Sequence, residues 1–164
     1  MKTFDDFKDT YGNSPAQITT ALVSPSRAAS RITEIANDLT LSTASLPRVA
    51  SGDILRPLLV RPTEASRTAS TLARNGYLAI GAMTGWAEDA KAFDTSVGEL
   101  NSQLIAESRL GTFTRGMTDE DKSSITAGDA RDIVYSRLLP RYRRLLRELD
   151  GGRQRAEQAL THPE

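Results

Sequence analysis

Cysteine is absent from this chain of 164 residues, so disulfides, thiolate nucleophiles and zinc sites built on sulfur are excluded. Aromatic residues make up only 5% of the sequence, and all apolar residues together only 38%. This composition is lean for a compact globule and suits a thin helical bundle, in which each helix buries one stripe. The length allows one domain with a real core and hardly two.

Long apolar runs are also missing from the sequence. No stretch approaches the roughly 20 apolar residues of a membrane-spanning helix, and the first residues lack the apolar core of a signal peptide. We therefore expect a protein without a transmembrane segment that is cytoplasmic as synthesised. Any export would use a route that needs no cleaved signal peptide.

Charge of one sign is not in excess, because 21 acidic residues balance 21 basic ones. Nucleic-acid binding, which normally uses a basic excess, is therefore not implied. One pattern keeps it open as a third interpretation, since Arg137, Arg141 and Arg144 recur at helical spacing and could grip phosphates. A solvated face near the C-terminus of a helix explains the same residues more simply.

Residues suited to catalysis are equally scarce. The only histidine, His162, lies beside a proline near the end of the sequence, where nothing fixes its geometry. Acidic pairs such as Glu88 and Asp89 have no partners placed for paired-carboxylate chemistry or for a calcium cage. Neither a glycine-rich phosphate loop nor a Gly-x-Ser-x-Gly elbow occurs. The sequence therefore predicts no enzymatic activity, no catalytic or metal site, no cofactor and no small-molecule substrate.

The sequence does contain an unbroken heptad pattern over residues 65 to 104, which we call the seam. Small or apolar residues recur there at alternating spacings of four and three, which is typical of a helix that packs one stripe against another helix. The seam residues are Ala65, Ala69, Leu72, Gly76, Ala79, Met83, Trp86, Ala90, Phe93, Val97, Leu100 and Leu104. The larger members are the predicted partner-binding residues: Leu72, Met83, Trp86, Phe93, Val97, Leu100 and Leu104.

The seam predicts one long helix that begins at Pro62 and runs to about Arg109. Four glycines lie inside it, and each costs roughly 1 kcal/mol relative to alanine. Close approach of a second helix would explain Gly76, whereas the glycines at residues 81 to 85 could mark a break or a bend. The continuous heptad favours a single helix with a bend.

The segments before the seam are predicted from local signals. Residues 1 to 13 should form a short docking segment that carries Phe4, Phe7 and Tyr11. Ser14-Pro15 and Ser24-Pro25 are helix-start signals. The second signal should open a helix to about Leu41 with an apolar side formed by Ala28, Ile32, Ile35, Ala36 and Leu39. Residues 42 to 61 should be an irregular connector packed across the bundle.

The segments after the seam begin with two capping-box patterns, at residues 118 to 121 and 126 to 129, and each predicts a helix start. The last helix should run from about Gly128 to Leu149, and Pro140 should kink or split it. Gly151-Gly152 is a stop signal.

Taken together, these patterns contain no alternation typical of a strand, so the predicted fold class is all-α. We expect an elongated helical bundle built on a long antiparallel helical hairpin. A single helical domain should span residues 1 to 152, with a disordered tail over residues 153 to 164.

The residues around the sole tryptophan form a second informative pattern. It contains Gly85-Trp86, small residues after it, Phe93 seven positions on, and Leu100-Asn101. This run resembles the helical N-terminal regions of actinobacterial type VII secretion substrates, relatives of the small Trp-x-Gly secreted helical hairpins. The resemblance covers about 30 of 164 residues. Two family features are missing: Glu88 stands where Trp-x-Gly needs glycine, and no Tyr-x-x-x-Asp/Glu export signal occurs.

The resemblance implies a non-enzymatic helical module associated with type VII secretion. Such a module would bind a protein partner, or a second copy of itself, through the seam. The alternative is an intracellular adaptor, immunity protein or assembly scaffold that binds one protein partner. A Tyr-x-x-x-Asp/Glu motif in the protein encoded beside this one would favour the first interpretation, since paired substrates can share one export signal.

Overall fold

The computed structural model describes residues 2–4, 14–45 and 55–161. About 90% of these residues are helical and none forms a strand, which confirms an all-α fold for the described chain. The helices are α1 (Pro15–Ala21), α2 (Val23–Ser45), α3 (Leu55–Glu107), α4 (Leu110–Phe113), α5 (Asp119–Ser124) and α6 (Ala127–Thr161).

The chain divides into two compact units, and α3 and α6 each contribute to both. Unit 1 consists of Met1–Pro15 with Trp86–Gln154, and unit 2 consists of Ala16–Gly85 with Arg155–Glu164. This division differs from the single domain that is predicted over residues 1 to 152.

Helix α3 runs for 53 residues without a break, so the predicted continuity through residues 81 to 85 is confirmed. The predicted start at Pro62 is wrong, because Pro62 lies inside the helix. The proline that marks the start is Pro57, in the first turn of α3, where a missing N–H costs no intrahelical bond. The predicted connector is accordingly shorter, since its two ends belong to α2 and α3 and residues 46–54 lie outside the described chain.

The predictions for the N-terminal segments are met in part. Helix α1 begins at Pro15, as its start signal predicts, and α2 begins at Val23, one residue before Ser24-Pro25. Phe4 is fully buried, in agreement with a docking segment, whereas Phe7 and Tyr11 lie outside the described residues.

Both capping boxes open helices. Thr118 caps α5 by accepting a hydrogen bond of 3.2 Å from the backbone N–H of Asp121. Thr126 precedes α6 and accepts a bond of 3.2 Å from the N–H of Asp129, whose carboxylate accepts one of 3.0 Å from the N–H of Thr126. The Thr126–Asp129 pair satisfies two of the donors that a helix start leaves unpaired, and the Thr118–Asp121 pair satisfies one.

Helix α6 is longer than predicted and continues through Pro140 and Gly151-Gly152 to Thr161. Pro140 therefore does not split the helix, and the predicted stop after Leu149 is wrong. Residues 153 to 161 are helical, and His162 lies outside the described residues. Gly152 is buried inside unit 1, where a Cβ atom would lie only 3.0 Å from Asp89 Cγ. The glycine is there because the two helices come close, not because the helix ends.

Unit 1 has a core of large side chains from α3 and α6. The buried residues of α6 include Val134, Leu138, Tyr142 and Leu149. Glu107 of α3 pairs with Arg137, and the Gln103 side chain accepts a bond of 3.5 Å from Arg141. Lower residue numbers on α3 thus meet higher numbers on α6, so the two segments run in opposite directions within this unit.

Unit 2 joins α2 to α3 through small residues. A Cβ atom at Gly76 would lie 3.5 Å from Ala29 Cβ, which is ordinary contact, so the two backbones come close at this point and alanine would fit there. The Ser66 hydroxyl donates a bond of 3.0 Å to the Ala36 carbonyl and lies 2.7 Å from the Thr40 hydroxyl. Close backbone approach with hydroxyl bonds therefore replaces a core of large side chains.

Candidate partner-binding surface

The C-terminal half of the seam is the core of unit 1. Trp86 is 9% exposed and Phe93 3% exposed, while the side chains of Val97, Leu100 and Leu104 are fully buried. Five of the seven predicted partner-binding residues are thus covered within this chain. Phe93 faces α6, since its ring centroid lies 6.3 Å from that of Tyr142.

The N-terminal half of the seam lies in unit 2, where its residues are not fully buried. Leu72 is 58% exposed, whereas its neighbour Ala73 is 4% exposed. Ser66, not Ala65, bonds to α2. The stripe of α3 that meets α2 therefore keeps Gly76 of the seam but contains Ser66 and Ala73 in place of Ala65 and Leu72. Leu72 and Ala65 lie beside the interface. Met83 is half-buried.

This stripe leaves an apolar surface along one edge of the α2–α3 pair. Ser30, Thr40, Ser66 and Tyr77 form hydroxyl hydrogen bonds along one edge of the contact. Helical spacing puts the apolar residues on the opposite edge. We call that edge the α2–α3 flank, and its residues are Ile32, Ile35, Leu39, Ala65, Leu72 and Ala79. None of them is buried and none carries a charge.

Two charged residues border the flank on α2. Arg31, Ile35 and Asp38 are spaced by four and three positions, so they share one face of the helix. Both charged side chains are exposed, and neither forms a hydrogen bond or an ion pair with another described residue. The face therefore presents a cation, an apolar centre and an anion in that order. The apolar spacing of α2 alone does not indicate that these two charged residues border the flank.

The arginines of α6 are placed in a way that does not favour phosphate binding. Arg137 pairs with Glu107, and the Arg144 Nε atom lies 3.7 Å from a carboxylate oxygen of Glu148. Carboxylates thus already balance two of the three arginines in the predicted basic face.

One perturbed carboxyl occurs among the described residues of unit 1. The hydroxyl of Thr126 and then its backbone N–H donate hydrogen bonds to Asp129, and these bonds hold the pKa of that carboxyl below its ordinary value. Because Asp129 is exposed and belongs to the capping box of α6, we assign it to helix stability.

The described residues contain no group of three or more histidine or acidic side chains that could hold a metal ion. Among the described helices, none combines the length and apolar character needed to cross a membrane.

Comparison with known proteins returned no matching family model, curated protein or solved structure. The resemblance to type VII secretion substrates therefore stays a prediction.

Proposed function

We propose that this protein is a non-enzymatic helical interaction module associated with type VII secretion. In this proposal α2 and α3 act as an antiparallel hairpin that docks a helical partner along the α2–α3 flank. The observation that carries it is the exposure of Ile35 (55%) and Leu72 (58%) on adjoining helices, within a surface that has no charged member. Burying the exposed half of each side chain would contribute about 1 kcal/mol.

The order of the two charges on α2 specifies which charges a partner helix should carry. An antiparallel helix with an anion opposite Arg31 and a cation opposite Asp38 would fit. A second copy meets this requirement when a two-fold axis passes near Ile35, because each Arg31 then faces the Asp38 of the other copy. The exposed apolar residues of the two flanks would cover each other in the same arrangement, as in a four-helix bundle.

Light scattering at two protein concentrations tests the proposal. The wild-type mass should rise above 17.8 kDa as the concentration increases. Ile35→Asp and Leu72→Asp should each hold the mass at the monomer value, because a charge would then be buried in the contact. Leu41→Asp is the matched control, since Leu41 is 70% exposed on α2 but lies outside the flank.

Charge reversal tests the orientation. Arg31→Asp and Asp38→Arg should each weaken association, and combining both in one chain should restore it. Equal association of all three variants would contradict the antiparallel arrangement. A wild-type chain that stays monomeric would exclude the second copy as partner.

The secretion part of the proposal has its own test. Export of the protein should stop when the type VII secretion ATPase is deleted. A protein that stays in the cell with that ATPase present would instead support the adaptor interpretation.

A further inference from the structure

Unit 1 holds the segment Lys2-Thr3-Phe4 in a site with its own geometry. Phe4 is fully buried, with its ring stacked on Tyr135 at a centroid distance of 4.7 Å and an interplanar angle of 10°. The Tyr142 ring lies 5.1 Å from Phe4 on a tilted plane. We call the residues that surround the segment the Phe4 cradle: Asn101, Arg131, Asp132, Tyr135 and Tyr142.

The cradle holds the main chain of the segment at both ends. The backbone N–H of Phe4 donates to Asn101 Oδ1 at 2.8 Å. The guanidinium of Arg131 donates to the Lys2 carbonyl from Nε at 3.3 Å and from Nη2 at 3.0 Å. Bonds of this kind recognise an extended backbone whatever its side chains, as in other modes of peptide recognition.

The cradle also selects a basic side chain two residues before the aromatic one. Lys2 Nζ lies 3.0 Å from Asp132 Oδ1 and 5.5 Å from the centroid of the Tyr135 ring. A carboxylate and an aromatic face both favour a cation. Half or more of the Lys2 and Asp132 side chains is exposed, so this end of the cradle is open to solvent.

The segment uses only one end of the Asn101 side-chain amide. The Nδ2 atom of Asn101 is buried and has no hydrogen-bond partner among the described residues, although Oδ1 of the same amide is used. A buried donor without an acceptor costs free energy. A ligand that placed a backbone carbonyl against Nδ2 would use both ends of the amide, so the chain's own segment is an imperfect occupant.

We propose that the Phe4 cradle is a peptide-binding site that the chain's own Lys2-Thr3-Phe4 segment occupies. Its ligand in trans is an extended segment of a partner protein, with lysine or arginine two residues before an aromatic residue and a carbonyl that reaches Asn101 Nδ2. This site lies in unit 1 and does not depend on the α2–α3 flank. The tethered segment competes at an effective concentration that is high for short connections, so the partner must bind better than the segment does.

Titration of the full-length Phe4→Ala variant with acetyl-Lys-Thr-Phe-amide tests the proposal. Nuclear magnetic resonance of the Asn101 side-chain amide and the Arg131 Nε–H group reports occupancy at the cradle. We expect saturable shifts of both signals. Peptides with alanine for phenylalanine, or glutamate for lysine, should bind at least about tenfold more weakly, because each loses one selective contact. A folded variant that shows no saturable shift, or that binds all three peptides equally, would overturn the site.

A second variant keeps Phe4 in place in case its removal unfolds unit 1. Lys2→Glu should weaken the tethered segment, so the added peptide should bind more tightly than it binds the wild-type chain. Lys91→Glu changes an exposed lysine of α3 outside the cradle and should leave peptide binding at the wild-type level. Equal affinity for the wild type and Lys2→Glu would count against a competing segment.

Discussion

The two units use the same long helix in opposite ways. In unit 1, α3 contributes large side chains, with Val97, Leu100 and Leu104 fully buried. In unit 2 its one buried residue among those described is Ala73, and the buried residues of α2 are Ala29 and Ala36. The exposed large apolar side chains show the reverse distribution, since eight of the eleven in the described chain belong to unit 2.

The two kinds of packing differ in how much apolar area they bury. Large interdigitated side chains bury much apolar area, so a unit built in this way can be stable by itself. Alanine, glycine and serine allow two backbones to come close, but they bury little area and leave larger residues beside the contact. Unit 1 therefore resembles a finished core, whereas unit 2 resembles half of an interface.

The largest expected effect comes from truncating the core of unit 1. Leu100→Ala should lower the free energy of unfolding by about 2–5 kcal/mol, because it removes buried methyl groups and leaves a cavity. Leu72→Ala, the same change at an exposed position of α3, should stay within about 0.5 kcal/mol for the monomer. Urea denaturation monitored by circular dichroism at low protein concentration measures both. Equal losses would break the contrast between the units.

A smaller effect is expected where α6 approaches α3 in unit 1. Gly152→Ala should destabilise the protein by about 1–3 kcal/mol, because its Cβ would overlap Asp89. Gly98→Ala is the matched control, since Gly98 lies in α3 with open space around it and alanine has the higher helix propensity. It should stabilise by roughly 0.5–1 kcal/mol. Thermal unfolding should show shifts of opposite sign for the two variants, and shifts of the same sign would contradict the steric role of Gly152.

The smallest effect concerns the start of α6. The pKa of Asp129 is lower in the folded chain than in the unfolded one, so its contribution to stability is complete above the unfolded pKa of about 4. The contribution disappears as the pH falls through the folded pKa. Asp129→Asn should therefore lower the melting temperature slightly at pH 7, and the difference between the two proteins should shrink as the pH falls below about 4. A difference between the two proteins that grows on acidification would contradict this assignment.

Local signals predicted much of the fold because they act over a few residues. The capping boxes at residues 118 to 121 and 126 to 129 open helices, and Pro15 starts one. In unit 1 every large seam residue from Phe93 to Leu104 is buried. Residue types whose role depends on a neighbouring helix led to wrong predictions. Pro62 and Gly152 have the residue types of helix ends, yet both lie inside helices whose surroundings keep them continuous.

The candidate surface could be predicted only in part for the same reason. The apolar residues of α2 and α3 are evident in the sequence. On α3, however, two stripes of small and apolar residues fit helical spacing, and they differ by one position where residues 72 and 73 lie. One stripe contains Leu72 and the other contains Ala73. Heptad spacing cannot choose between them, because a straight helix drifts by about 20° per heptad relative to such a stripe. The alanines of α2 decide the choice, since they accept only small residues at close range.

The amino-acid sequence by itself determined the helical class, the heptad seam and most helix starts, because propensity, spacing and capping act within a few turns. Only the tertiary structure decided which seam residues are covered, why Gly152 lies against Asp89, and that Lys2-Thr3-Phe4 fills an aromatic cradle. Those outcomes depend on residues far apart in the chain, whose approach is set by the shapes of both surfaces and by neither sequence pattern alone.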